Sequence, residues 1–174
     1  HPGHRMLLQV LYASGLRISE ACQLQVVDID SSPDRMMVRV RAGKGAADRY
    51  TLLSPSLLLA LRAHCVNYRC HRQTPGWLFV HPRTGEPLSG GYMQRIYQRA
   101  RHKAGIMKMG STHTLRHCFA THLLEGGVDL YTISRLLGHG HISTTTRYLH
   151  LISPQFKPTP GVDPLDLLAA LTPF

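Results

Sequence analysis

"GHGHISTTTRYLH", residues 138–150, places three histidines, an arginine and a tyrosine within thirteen positions and contains no acidic residue. Such a polar run does not read as a plain core segment. Tyr148 alone says little, because the chain has seven tyrosines. Its meaning depends on whether distant residues supply what a reactive tyrosine needs: charge to hold an anion and a donor to protonate a leaving group. The run follows "DLYTISRLLGH" (129–139), a helical pattern capped by Asp129, and "STTTRYLHL" (143–151) reads as a further short helix capped by Ser143.

The whole chain sets the bounds. Its 174 residues suffice for one domain with a real core. The longest apolar stretch, "TLLSPSLLLALRAHC" (51–65), is broken by Pro55 and Arg62, so no membrane span is expected. The opening "HPGHRM" has no initiator Met and no leader pattern, and it reads as the interior of a structured element. A piece of a longer protein is the expectation. Twenty Lys and Arg against ten Asp and Glu leave a net charge of +10. That surplus favours an anionic partner, and nucleic acid is the commonest; a merely basic surface is the competing reading.

Cys22, Cys65, Cys70 and Cys118 show no disulfide-framework spacing, so a reducing cytoplasm is expected, with nucleoid association in a prokaryote. "HCVNYRCH" (64–71) has zinc-type ligands, but its cysteines are too far apart for a zinc knuckle and the segment continues a helical pattern. "DIDSSPD" (28–34) resembles the start of a calcium loop. It lacks the glycine, and Arg39 stands where the bidentate glutamate belongs, so it reads as plain loop. No metal or cofactor is expected.

Residues 5–14 have helical spacing and stop at Gly15, and "RISEACQLQ" (17–25) reads as a second helix. "MMVRVRA" (36–42) and "DRYTLLS" (48–54) alternate like strands around "GKGAA", which predicts a β-hairpin carrying Lys44. Helices are expected again at 55–69 and at 89–104, the latter with Arg95, Arg99, Arg101 and Lys103 as candidate DNA contacts. Another follows Thr112 as cap and ends at Gly126–Gly127. The sum is an α+β chain, mainly helical, with one small antiparallel sheet. The domain is expected over 1–152. Residues 153–174 form a tail in which Leu165, Leu167, Leu168 and Leu171 make an apolar stripe.

Breaking a phosphodiester without a metal requires an in-line nucleophile, positive charge for the equatorial oxygens and a proton for the leaving oxygen. "THTLRH" puts His113 and Arg116 three apart in a first helical turn, where free N–H groups and the helix dipole favour a phosphate. "GLRISE" sets Arg17 just after a helix break, with Glu20 one turn later to orient it. Each pair alone reads better as a solvated surface feature.

Taken in order, "ASGLRISEACQL", the "GKG" hairpin, "HTLRHCFATHLL" and "LLGHGHISTTTRYLH" resemble the catalytic domain of the tyrosine recombinases, the phage-integrase and Xer-like family, from about residue 5 to about residue 151. The resemblance implies the DNA breaking-rejoining enzyme fold and roles position by position. Tyr148 matches the nucleophile that forms a 3′-phosphotyrosine, and Arg17 and Arg116 match the arginines on the non-bridging oxygens. Lys44 matches the general acid at the leaving 5′-oxygen. His113 matches the position assisting proton transfer, His139 the one that hydrogen-bonds the scissile phosphate, and Glu20 a supporting acid. Arg147, beside the nucleophile, is a further candidate DNA contact.

The resemblance also implies double-stranded DNA as partner and an N-terminal core-binding domain outside this chain. It implies a homotetramer on paired sites, with the isolated fragment a monomer and the tail docking on a neighbouring protomer. A type IB topoisomerase shares the chemistry, but "LLGH" and "GLRISE" are worded as in recombinases. A DNA-binding regulator derived from a recombinase would lack a catalytic residue, and none is lacking.

Overall fold

The computed structural model describes residues 2–42, 47–68, 76–81, 83–146 and 148–149. In chain order these form α1 (Pro2–Ala13), α2 (Ile18–Cys22), a 3-10 turn (Val26–Asp28), β1 (Ile29–Asp30), β2 (Met37–Val40), β3 (Arg49–Leu52), α3 (Pro55–Tyr68), α4 (Gly90–Lys103), α5 (Thr112–Glu125), α6 (Leu130–Leu137) and α7 (Ser143–Thr146). The strands make one antiparallel sheet in the order β1-β2-β3. The mainly helical fold with a small sheet agrees with the expectation from the sequence.

Helix α1 is the hub. Met6, Leu7, Val10, Leu11, Tyr12 and Ala13 are all buried, and the helix packs on α3, α4 and α5. It ends where Gly15 turns the chain at φ +59°; a Cβ there would stand 2.4 Å from Phe119 Cδ1 of α5. Only glycine suits both the left-handed backbone and that close approach. Ser14 and strand β3 are tied reciprocally: Ser14 Oγ donates to the Leu52 carbonyl at 3.1 Å, and Thr51 Oγ1 donates to the Ser14 carbonyl at 2.9 Å. Two buried polar bonds thus lock the hairpin to the turn that delivers Arg17.

Pleat alternation explains the sheet's two faces. Val38 and Val40 are buried, Val38 pairs with Thr51, and Arg39 pairs with Tyr50 on the outer side. Tyr50 is therefore half exposed, not the packing residue its type suggests.

The boundaries differ from the sequence reading in several places: α1 begins at Pro2, and α7 has Ser143 as its first residue, not its cap, and ends at Thr146. α2 stops at Cys22 because the following backbone pairs elsewhere: Leu78 N–H donates to the Leu24 carbonyl and Val26 N–H to the Gly76 carbonyl, both at 2.9 Å. The stretch expected as loop after it contains the 3-10 turn and β1, with Ile29 opposite Val38. The cap of α5 is Ser111, whose hydroxyl accepts from His113 N–H at 3.3 Å, so Thr112 is its first residue. Among the described residues no helix is long and apolar enough to cross a membrane. Cys70, His71 and the tail 153–174 lie outside the described residues. His64 is buried and bonded to the Leu78 carbonyl at 3.0 Å.

Candidate active site

The turn after Gly15, strand β3, the start of α5 and the end of α6 meet around one carboxylate. Glu20 lies in the first turn of α2, and its side chain reaches back to the helix start, accepting from Arg17 N–H at 2.6 Å. Arg17 Nη1 donates to Glu20 Oε1 at 3.0 Å. Arg49, from β3, adds a two-pronged fork to the same carboxylate, Nη1 and Nη2 each 2.9 Å from an oxygen. Arg116 Nη1 stands 3.8 Å from Glu20 Oε2. Three guanidiniums thus face one carboxylate, leaving two positive charges in surplus. That excess suits an anion such as phosphate.

The electrostatics follow from burial. Desolvation raises the Glu20 carboxyl, but the Arg49 fork, the Arg17 N–H and the Arg116 charge together take it below its ordinary value. Arg116 is pulled down to about 10, first by burial and then by repulsion from Arg17, with Glu20 opposing. It therefore stays charged at neutral pH. The buried guanidinium is fastened to main-chain carbonyls, donating through Nη1 to Gly15 at 2.8 Å and through Nη2 to Leu137. The conformation of "LLGH" is thereby coupled to the anion pocket.

Tyr148 is buried against Phe119, Ala120, Leu123, Ile133 and Leu137. Its hydroxyl lies 2.9 Å from Nδ1 of His117, one residue beyond Arg116 on α5. His139 is half buried just beyond α6, with Nδ1 2.8 Å from the hydroxyl of Thr145, which is itself fully buried. His113 is exposed on the first turn of α5, one turn before Arg116. The structure thus gathers Arg17, Glu20 and Arg116 around one centre, and sets Tyr148 and His139 on the segment bound to Arg116 through Leu137. Lys44 and Arg147 lie outside the described residues.

The proposed DNA contacts on α4 have different surroundings. Arg95 lies over the Tyr92 ring at 5.5 Å, and Arg99 and Lys103 border an apolar cavity between α1, α4 and α5. Arg101 donates to Gln98 and to the carbonyls of Ile106, Met107 and Lys108, so it builds the α4–α5 loop. That apolar cavity, about 610 Å³, holds none of the groups around Glu20. The groove of about 630 Å³ beside the sheet does: Arg17, Glu20, Arg49 and Gly138 line it. Arg39 and Arg41 extend it, and both donate to the buried Asp28 at 2.9 to 3.1 Å. This explains Asp28 in the pseudo-calcium loop: its carboxylate is matched by arginines. Among the described residues no cluster of potential metal ligands occurs.

Two contributors escaped the sequence reading. Arg49 shares its strand face with the buried Thr51, and a charge on an inward face demands a partner. His117 follows His113 at helical spacing and so shares its side of α5. Both signals were present in the pattern.

Comparison with known proteins supports the resemblance. The sequence profile of the phage integrase family matches residues 3–153. The Sinorhizobium fredii protein y4qK, named for integrase/recombinase activity, is 42% identical over 170 residues, covering 98% of this chain and 53% of the relative. Tyrosine recombinase XerC of Halalkalibacterium halodurans is 36% identical over 161 residues, with 88% of this chain and 52% of the relative covered. The site-specific recombinase XerH, solved bound to a palindromic difH substrate in a post-cleavage complex, superposes with a TM-score of 0.75. It is 25% identical and covers 97% of this chain and 44% of its own. This chain therefore spans about half the length of the relatives it matches. With the profile covering most of the chain, the chain belongs to the phage integrase family and carries its tyrosine recombinase catalytic domain.

Proposed function

We propose that this chain is the catalytic part of a site-specific DNA recombinase, which cuts and rejoins strands through a 3′-phosphotyrosine on Tyr148. The observation that carries the reading is the surplus of guanidinium around Glu20, with the Tyr148 hydroxyl bonded to His117, the residue after Arg116 on α5. Arg17, 40% exposed at its side chain, faces the open groove, while Arg116 lies buried, 3.8 Å from the other oxygen of Glu20's carboxylate. A phosphate entering there meets two planar, permanently charged donors suited to its non-bridging oxygens. His139 is assigned a third hydrogen bond to that phosphate.

The chemistry then balances simply. The Tyr148 oxygen attacks phosphorus, forming a P–O bond to the 3′ side, and His113 assists removal of its proton. The bond to the 5′-oxygen breaks, and Lys44 donates the proton that makes it a free hydroxyl. Reversal by another strand's 5′-hydroxyl rejoins DNA without an external energy source, because the phosphodiester energy is kept in the phosphotyrosine bond. Glu20 supports the arginines. The fixed positive charges do the electrostatic work throughout.

Double-stranded DNA is the partner on this reading. Arg95, Arg99, Lys103 and Arg147 are proposed backbone contacts, with Arg101 acting through the loop it holds. Assembly as a tetramer on paired sites, with the tail docking on a neighbour, belongs to the same proposal and rests on the family resemblance.

The test is a nicked duplex that loses its leaving fragment after cleavage, incubated with the chain in excess chelator. A covalent band that resists denaturation is expected, and Tyr148→Phe should eliminate it while DNA binding stays within about threefold. A band that survives in Tyr148→Phe reassigns the nucleophile; cleavage that appears only with added metal rejects the mechanism.

A further inference from the structure

Arg49 stands outside the roles given above, yet it joins Glu20 to the end of α6. Its two terminal nitrogens hold both oxygens of Glu20 at 2.9 Å, and its Nε donates to the Leu136 carbonyl at 3.1 Å. Leu136 and Leu137 are the last two residues of α6, where helix carbonyls lack partners within the helix. Arg49 takes the first of these carbonyls and Arg116 the second. Both arginines also face Glu20. One carboxylate and one helix end are thereby fixed to each other through two guanidiniums, and His139 follows two residues later.

Gly138 shows how tightly this joint is fitted. It sits at φ +66°, and a Cβ built there would stand 2.5 Å from Arg49 Cδ and 2.7 Å from Arg49 Nε. The backbone of "LLGH" passes directly over the shaft of Arg49. The glycine between Leu137 and His139 is needed for the left-handed turn and equally for the arginine beneath it. An ordinary surface ion pair would not require this. The side chains of Arg49 and Glu20 are only 15% and 14% exposed, so the pair is largely withdrawn from water.

We infer that Arg49 is a positioning residue for phosphodiester cleavage, bracing Glu20 against the C-terminal end of α6 so that Arg17, Arg116 and His139 meet the same phosphate. The inference rests on the function proposed above. Lysine could neutralise Glu20, but its single ammonium cannot make the fork and also reach the Leu136 carbonyl in this planar arrangement. Without the brace, the arginines and His139 are held by separate elements that can shift relative to each other, and misplacement of about 1 Å is enough to slow chemistry roughly 100-fold.

The experiment uses the full chain and the nicked duplex, following adduct formation in a single turnover over a range of DNA concentrations. Arg49→Lys is expected to lower the rate constant at saturating DNA about 100-fold. The half-saturating DNA concentration and the final fraction of protein converted should stay within about threefold. Loss of the converted fraction with an unchanged rate constant would mean that Arg49 serves only folding, and would overturn the inference. A half-saturating concentration that rises as far as the rate falls would make it a DNA contact instead, and would overturn the inference equally.

If the unmodified chain forms no adduct, the proposed function fails, and the brace is then judged by denaturation. Arg49→Gln and Glu20→Gln together should change the folding equilibrium at least about tenfold less than the product of the single effects. Simple multiplication of the two effects would overturn it.

Discussion

The anion pocket and the tyrosine segment are built in opposite ways. The pocket is assembled from four separate stretches, the Gly15 turn, α2, β3 and α5, and is closed by paired, largely buried polar bonds: Ser14 with β3, Arg49 with Glu20, Arg116 with Gly15 and Leu137. The tyrosine segment after α6 is local. It contains the four-residue helix α7, exposes Ile142 and Leu149, and is anchored by the fit of Tyr148 among α5 and α6 side chains and by the His117 and Thr145 contacts. The difference assigns tasks. A receptor for phosphate gains by being finished beforehand, since its dipoles then need no reorganisation at the moment of reaction. On the proposed function the buried Tyr148 has to leave its niche beside His117 to attack, and a short, locally held segment would make that departure inexpensive.

The strongest way to break the contrast is to remove the buried guanidinium of Arg116. Arg116→Ala leaves the carbonyls of Gly15 and Leu137 without a buried donor and Glu20 with one guanidinium fewer. We expect a stability loss of about 3 kcal/mol in urea unfolding together with loss of detectable adduct. Near-native stability would show that the pocket is no more rigid than the segment.

A middle-sized effect comes from acid. The folded Glu20 carboxyl titrates below its ordinary 4.5, so its contribution to stability is complete above that value and is lost as pH falls through the lower folded one. The melting temperature of the unmodified chain should therefore fall, as pH drops below 4.5, more steeply than that of Glu20→Gln. Parallel curves would mean that the arginine fork contributes nothing measurable.

The smallest effect is expected on the tyrosine side. His117→Ala removes one hydrogen bond at the edge of a niche, costing about 1 kcal/mol or less in the same urea experiment. Adduct formation should not fall by more than a few-fold, because the bond belongs to storage of Tyr148. A loss as deep as that in Arg116→Ala would put His117 among the reacting groups and erase the contrast.

The same contrast explains what could be read from the sequence. Helix starts and stops, strand alternation and the order of the motifs depend on local chemistry, and they give α1, α3 to α6 and the β2–β3 pair within a few residues. Arg17, Glu20 and Arg116 were legible because their spacing on short elements is local too. The Arg49 fork joins residues 29 apart, and the Tyr148–His117 bond joins residues 31 apart. No periodicity encodes such pairs, although an arginine on the inward face of β3 is a visible anomaly. β1 was hidden for a related reason: a two-residue strand has no pattern of its own and exists because β2 offers it an edge.

The claim that the pocket is finished while the tyrosine segment moves can be tested most directly by backbone hydrogen exchange. The measurement compares the Tyr148→Phe chain free and saturated with an uncleaved duplex. Amides in Ile18–Cys22, Arg49–Leu52 and the turn of α5 around Arg116 should exchange at rates within about threefold in the two states, while those in 140–146 change at least about tenfold. Equal changes in both regions, or a tyrosine segment unaltered by DNA while the pocket amides shift, would contradict the account.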